Sequence, residues 1–95
     1  MNANTQSLQT ILGEYLRERG LHNVANRVRV PEVWLEVIGE NAAKHCHDIE
    51  FTAPILSVRV DSPVWRSELR LRKHDLVRRI NERLEPGLIA DIILR

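Results

Sequence analysis

The sequence predicts an α+β fold: N-terminal helices, a β-hairpin, one long helix and a final strand, with the helices packed on one face of a three-stranded sheet. Three observations predict it. Apolar residues recur at helical spacing over 8–38 and 63–84. They alternate with polar ones over 48–60 and 88–95, the period of a strand covered on one side. Proline and glycine mark boundaries between these segments, and no linker-like tract or repeat divides the chain.

Leu8, Ile11, Leu12, Tyr15 and Leu16 form the stripe of a first helix, with Ser7 as its cap and Gly20 at its end. Residues 1–7 are expected to be a flexible segment ahead of one domain spanning 8–95. Leu21, Val24, Ala25 and Val28 predict a short second set of helical turns. Pro31, acceptable in a first turn, is expected to open a new helix whose buried side is Val33, Trp34, Val37 and Ile38. Gly39 ends it, and residues 41–45 are expected to add another turn. Ile49, Phe51 and Ala53, then Leu56, Val58 and Val60, alternate with polar neighbours across Pro54, which predicts a hairpin. Ser62-Pro63 reads as cap and first residue of the long helix, whose buried face is Trp65, Leu69, Leu76, Ile80 and Leu84. Pro86-Gly87 stops it. Leu88, Ala90, Ile92 and Leu94 then predict a third strand, with Ile89 and Ile93 turned outward.

Ninety-five residues make one small core. With two Trp, one Tyr and one Phe, that core is aliphatic and few rings remain for stacking bases. A single cysteine, Cys46, permits no intrachain disulfide. The N-terminus has no basic or apolar signal region and no apolar run approaches the length of a membrane span, so a cytoplasmic protein is expected. The net charge of +1 is unevenly distributed: residues 62–95 hold eight Arg/Lys against five Asp/Glu, and residues 1–61 hold six against eight. Arginine dominates, which favours recognition of phosphate or carboxylate.

Trp34-x-x-Val37-Ile38-Gly39-x-x-Ala42-x-x-His45, Leu56-x-Val58-x-Val60-x-Ser62-x-x-Trp65-x-x-Glu68-Leu69, Leu76-x-x-x-Ile80-Asn81 and Ile89-x-x-Ile92 together resemble the DciA-like family of bacterial domains. The likeness covers roughly residues 8–95. It implies a KH-like fold, in agreement with the element order above. It also implies a nucleic-acid-linked function, with replication as the leading context and the replicative helicase as a partner. Longer members carry a C-terminal extension that helps engage the helicase, and this chain ends at its last predicted strand. The Gly-x-x-Gly clamp of true KH domains is missing, since the glycines stand at 13, 20, 39 and 87.

The candidate nucleic-acid-binding residues are Arg66, Arg70, Lys73, His74 and Arg78 on the long helix, with Arg59 on the polar side of the second strand. Arg66, Arg70, His74 and Arg78 recur every fourth residue, so a single helix would carry them as one ridge against DNA or RNA phosphates. Arg95 would extend that surface. Arg72 and Lys73 fall in the angular range of the apolar face and are expected to snorkel around its edge. His45-Cys46-His47-Asp48 is a weak metal candidate, because adjacent residues rarely converge on one ion. No metal or other cofactor, small-molecule substrate or catalytic residue is expected: no nucleophile elbow, Gly-rich phosphate loop or His-Glu-x-x-His occurs. A protein-interaction adaptor is the alternative class.

The ridge carries its own test. Each phosphate contact should steepen the fall of log K with log salt by about 0.9 on duplex DNA or about 0.7 on single strands. Changing Arg66, Arg70 and Arg78 together to Ala should abolish the low-salt gel shift of an oligonucleotide; an undiminished shift would remove the ridge from the function.

Overall fold

The computed structural model describes residues 24–95. The expected flexible segment 1–7, the first helix, its Ser7 cap and Gly20 lie outside the described residues. The elements run α1 (Val24–Ile38), α2 (Glu40–Ala43), β1 (Cys46–Thr52), β2 (Ile55–Val60), α3 (Pro63–Leu71), α4 (Lys73–Arg83) and β3 (Asp91–Leu94). The strands form one sheet in the order β1-β2-β3, with β1 antiparallel and β3 parallel to β2. The predicted α+β class is the observed one.

One face of the sheet supplies Leu56, Val58, Val60, Ile92 and Leu94 to the core. α1 adds Val30, Val33, Trp34 and Ile38, while α3 and α4 add Leu69, Leu76 and Ile80. All twelve are aliphatic or aromatic, as the scarcity of alternatives in the sequence requires. Trp34 is fully enclosed, whereas Trp65 is half-buried and packs against the core rim.

Four expectations are corrected. Pro31 lies inside α1 and does not begin a helix. Its ring removes only the bond to Arg27 O, and the continuous burial of Val30, Val33 and Trp34 outweighs a cost of about 3 kcal/mol. The long helix is two helices, broken at Arg72, where φ is −99° and ψ is 10°. There the Arg72 N–H bonds to Leu69 O at 3.2 Å, one residue short of α-helical spacing. A continuous helix would drive Arg72 and Lys73 into the apolar arc; the tightened turn re-phases the chain and lets Lys73 Nζ reach Asp91 Oδ1 at 3.4 Å.

The third strand is shorter than its alternation predicts, and Ile89 is buried rather than outward-facing. The cause is Asn81, whose Oδ1 accepts from Ile89 N at 2.9 Å and whose Nδ2 donates to Ile89 O at 3.0 Å. That latch turns the segment after Gly87 inward before β3 begins. The hairpin, finally, starts at Cys46 and carries a bulge between His47 and Glu50. Asp48 adopts a positive φ of 49° there, a conformation that Asp tolerates better than most residues.

Ser62 and Pro63 cap α3 as expected, Ser62 Oγ accepting from Trp65 N at 3.3 Å. Gly39, at φ 87°, makes the sharp passage from α1 to α2. α1 is tied to the end of α4 by Arg83 Nη1 to Glu36 Oε2 at 2.8 Å and to the turn just beyond it by Asn26 Nδ2 to Glu85 Oε1 at 2.9 Å.

Asn81→Ala should leave the buried Ile89 N–H and C=O without partners, lowering stability by about 2–3 kcal/mol in urea denaturation. An unchanged midpoint would mean that the latch follows the loop rather than setting it.

Candidate nucleic-acid interface

The strand directions bring three termini to one end of the sheet. β2 and β3 finish there side by side, and β1, antiparallel to β2, begins there, with Cys46 opposite Val60. The main chain of Arg95 prolongs the β3 pairing: its N–H donates to Val58 O at 3.0 Å and its C=O accepts from Val60 N at 2.7 Å. Those two bonds bracket Arg59, so Arg59 and Arg95 are lateral neighbours. His47 is the partner of Arg59 on the other side. Arg59 and Arg95 are exposed, and the buried residues on either side of them face the opposite way. His47, Arg59 and Arg95 therefore form one row across the uncovered face of the sheet.

Two more guanidinium groups arrive from α3. Arg66 Nη2 donates to Val60 O at 2.9 Å and Arg70 Nη2 to Leu94 O at 2.8 Å. Each satisfies a carbonyl at the end of a strand. A carbonyl takes a hydrogen bond without cancelling a charge, and neither arginine has a carboxylate within ion-pair distance among the described residues. Arg66 Nε is buried with no acceptor of its own.

The arginines of α4 are arranged differently. Arg78 is held by Asp75 and, at 3.0 Å, by Glu82. Arg79 pairs with Asp75 at 2.9 Å and Arg83 with Glu36 at 2.8 Å. An open groove of about 480 Å³ between α1 and α4 is lined by Glu36, Val37, Arg79, Glu82 and Arg83, so its two guanidinium groups face two carboxylates. The expected four-residue ridge is thus divided by the break at Arg72. Arg66 and Arg70 turn to the end of the sheet, joining Arg59. Arg78 stays within a carboxylate network on α4, Lys73 leans on Asp91, and His74 is exposed with no hydrogen-bond partner among the described residues. Arg72, half-buried, has Glu68 at 3.8 Å.

Carboxylates complete the local charge pattern. The Arg59 guanidinium, 2.8 Å from Asp48, holds that carboxyl below the usual range. Asp61 takes both of its neighbours' rings, His45 Nδ1 at 2.7 Å and His47 Nε2 at 2.6 Å, and those hydrogen bonds, His47's first, lower it too. Such contacts are hydrogen bonds; two ligands of one zinc ion would stand roughly 3.3 Å apart. Among the described residues no three His, Cys, Asp or Glu groups are placed to hold a metal ion. His45 also stacks on Trp65, with centroids 6.4 Å apart. Burial pushes the Cys46 thiol up, so it stays protonated between the two histidines.

Sequence reasoning grouped Arg66 and Arg70 with His74 and Arg78 as a helical ridge and named Arg59 apart, but could not bring Arg59 to the same end as Arg66 and Arg70. It left Arg95 as an extension and passed over Asp61. The signal available was the parity of Arg59 and Arg95, both on the polar side of their strands; their adjacency depends on the parallel register.

The chain matches the family model described as "Dna[CI] antecedent, DciA" over residues 7–94. It is similar to a UPF0232 protein of Streptomyces avermitilis, 34% identical over 85 residues that cover 87% of this chain and 47% of the relative. A UPF0232 protein of Streptomyces coelicolor is 34% identical over 88 residues, 90% of this chain and 46% of the relative. One from Rhodococcus jostii is 25% identical over 76 residues, 80% and 40% respectively. The chain thus spans less than half the length of these relatives. No solved structure matches it. No helix among the described residues is long and apolar enough to cross a membrane.

The depressed carboxyls set a direction for acid stability. Asp48, Asp61, Asp75 and Asp91 are all lowered, chiefly by Arg59, His47, Arg78 and the Ile92 N–H respectively. A lowered folded value means stability that is complete above the ordinary carboxylate range and lost as pH falls through the folded values. The urea midpoint should therefore fall steadily on acidification below about pH 4, and replacing Asp48 and Asp75 by Asn should flatten that fall.

Proposed function

The chain belongs to the DciA family, and on that premise we propose that it is a non-enzymatic accessory protein of DNA replication that holds nucleic acid by its phosphates. The contact surface is the end of the sheet where Arg59, Arg66, Arg70 and Arg95 gather. One observation supports this reading: among the described residues Arg66, Arg70 and Arg95 gather at that end with no carboxylate at ion-pair distance, while the arginines of α4 are paired in place. Phosphate oxygens supply the missing negative charge and accept the guanidinium N–H groups that the strand carbonyls leave over.

Base reading is not part of the proposal. Trp34 is enclosed, Trp65 is engaged with His45, and Phe51 packs against the core. Binding by a surface that, among the described residues, offers no free stacking ring is electrostatic and indifferent to sequence. DNA and RNA backbones satisfy it equally.

A second reading, a protein adaptor for the replicative helicase or another partner, draws on α3. Val64 and Leu71 stand seven residues apart on one face and are 77% and 83% exposed. The two readings diverge in their salt response, since an apolar dock does not weaken with added salt.

Arg70→Gln with Arg95→Gln, the two exposed guanidinium groups of the site with no carboxylate at ion-pair distance among the described residues, should weaken binding of a labelled oligothymidylate about 25-fold at 0.1 M salt and reduce the slope of log K against log salt by about 1.4. Arg78→Gln with Arg79→Gln should change affinity by no more than about 2-fold, because those charges are already paired. Equal losses in the two pairs, or none in the first, would refute this placement of the site.

A further inference from the structure

The arginine row ends in a carboxylate shared by two imidazole rings. Asp61 closes β2 and offers one oxygen to His45, just before β1, and the other to His47, the second residue of β1. Both of its oxygens are thereby occupied by ring nitrogens. His47 is the cross-strand partner of Arg59, so the His45–Asp61–His47 triad adjoins the proposed phosphate site directly. Imidazole is the side chain whose protonation changes between pH 5 and 8.

We infer that the His45–Asp61–His47 triad regulates phosphate binding at the Arg59–Arg95 row by pH, weakening it when the rings are neutral and strengthening it when they are protonated. This inference rests on the phosphate-binding reading above. With neutral rings the triad carries −1; with both protonated it carries +1. The four guanidinium groups of the site, Arg59, Arg66, Arg70 and Arg95, face two carboxylates, Asp48 and Asp61, so the local net charge rises from +2 to +4.

The charged and titratable neighbours of the triad come from β1, β2, α3 and the chain beyond β3. Lys44 precedes His45 in sequence, Cys46 lies between the rings, Asp48 is on β1, Arg59 on β2, Arg95 beside it, and Trp65 and Arg66 approach from α3. Burial keeps Cys46 a thiol and Arg59 keeps Asp48 ionised, so neither alters its charge in this interval. Protonation has a second effect on geometry: a cationic His45 ring gains from the Trp65 face on which it stacks, holding the charge at the rim of the site. Asp61 remains the hydrogen-bond acceptor of both rings in either state, so the change is one of field rather than of fold.

The test is fluorescence anisotropy of a rhodamine-labelled oligothymidylate, a probe with no titrating base near neutrality, at pH 8 and pH 6 and constant ionic strength. Each added contact is worth about 5-fold at 0.1 M salt, so wild type should bind about 5- to 25-fold more tightly at pH 6, with a steeper salt slope. His45→Gln with His47→Gln should compress that ratio to about 2-fold or less. Asp61→Asn should tighten binding at pH 8, a gain that a misfolded variant cannot imitate. His74→Gln should keep the wild-type ratio. Binding that depends on Arg70 and Arg95 but is equal at both pH values, or a ratio that survives loss of both histidines, would overturn the switch and leave the phosphate site intact. No binding at either pH in low salt would overturn both.

Discussion

Parallel pairing of β2 with β3 is the constraint on which the rest of this molecule depends. Because β1 runs antiparallel to β2, that pairing forces three strand termini to one end. The crossover through α3 and α4 lies over the face that buries Leu56, Val58, Val60, Ile92 and Leu94. Burial of aliphatic side chains of this size is worth about 1.5–3 kcal/mol each, which makes the register costly to slip. A one-residue shift would send Val58 and Leu94 to solvent and Arg59 and Arg95 into the core. Strand carbonyls left at the shared end need donors, and Arg66 and Arg70 supply them.

Arginines of one helical stretch thus meet two electrostatic fates. On α4, Arg78 and Arg79 have acidic neighbours three or four residues away and close onto them, and Arg83 closes onto Glu36 of α1. Those of α3 reach across to main-chain carbonyls and keep their charge. The boundary is Arg72, where one tightened turn separates the two populations. Residue type alone would make these side chains equivalent, and environment makes them different.

This division gives the family membership a physical setting. A charge cluster without exposed aromatic rings suits a polyanion held by its backbone, as an accessory factor on nucleic acid of any sequence would require. The cluster also borders Asp61 and its two histidines, which is why the inferred phosphate contact is proposed to be graded by protonation. Val64 and Leu71 occupy the face of α3 that the sheet does not cover, leaving room for a protein partner beside the same charged end.

Much of the fold was legible in the chain itself. Period-two alternation in Leu56–Val60, helical spacing from Leu69 to Ile80, and the Ser62-Pro63 start each follow from local geometry, which sequence encodes directly. Pro31 misled because a local rule forbids what burial around Trp34 permits. Ile89 misled because its direction is set by Asn81, a hydrogen bond across a turn that no periodicity registers. Sequence by itself determined the apolar faces of β2, α3 and α4, which segments alternate and that the basic charge is mostly arginine. Only the tertiary structure decided which arginines stay uncompensated among the described residues, because Arg66, Arg70 and Arg95 meet, with the Asp48-bound Arg59 beside them, through strand pairing between segments that are distant in the chain.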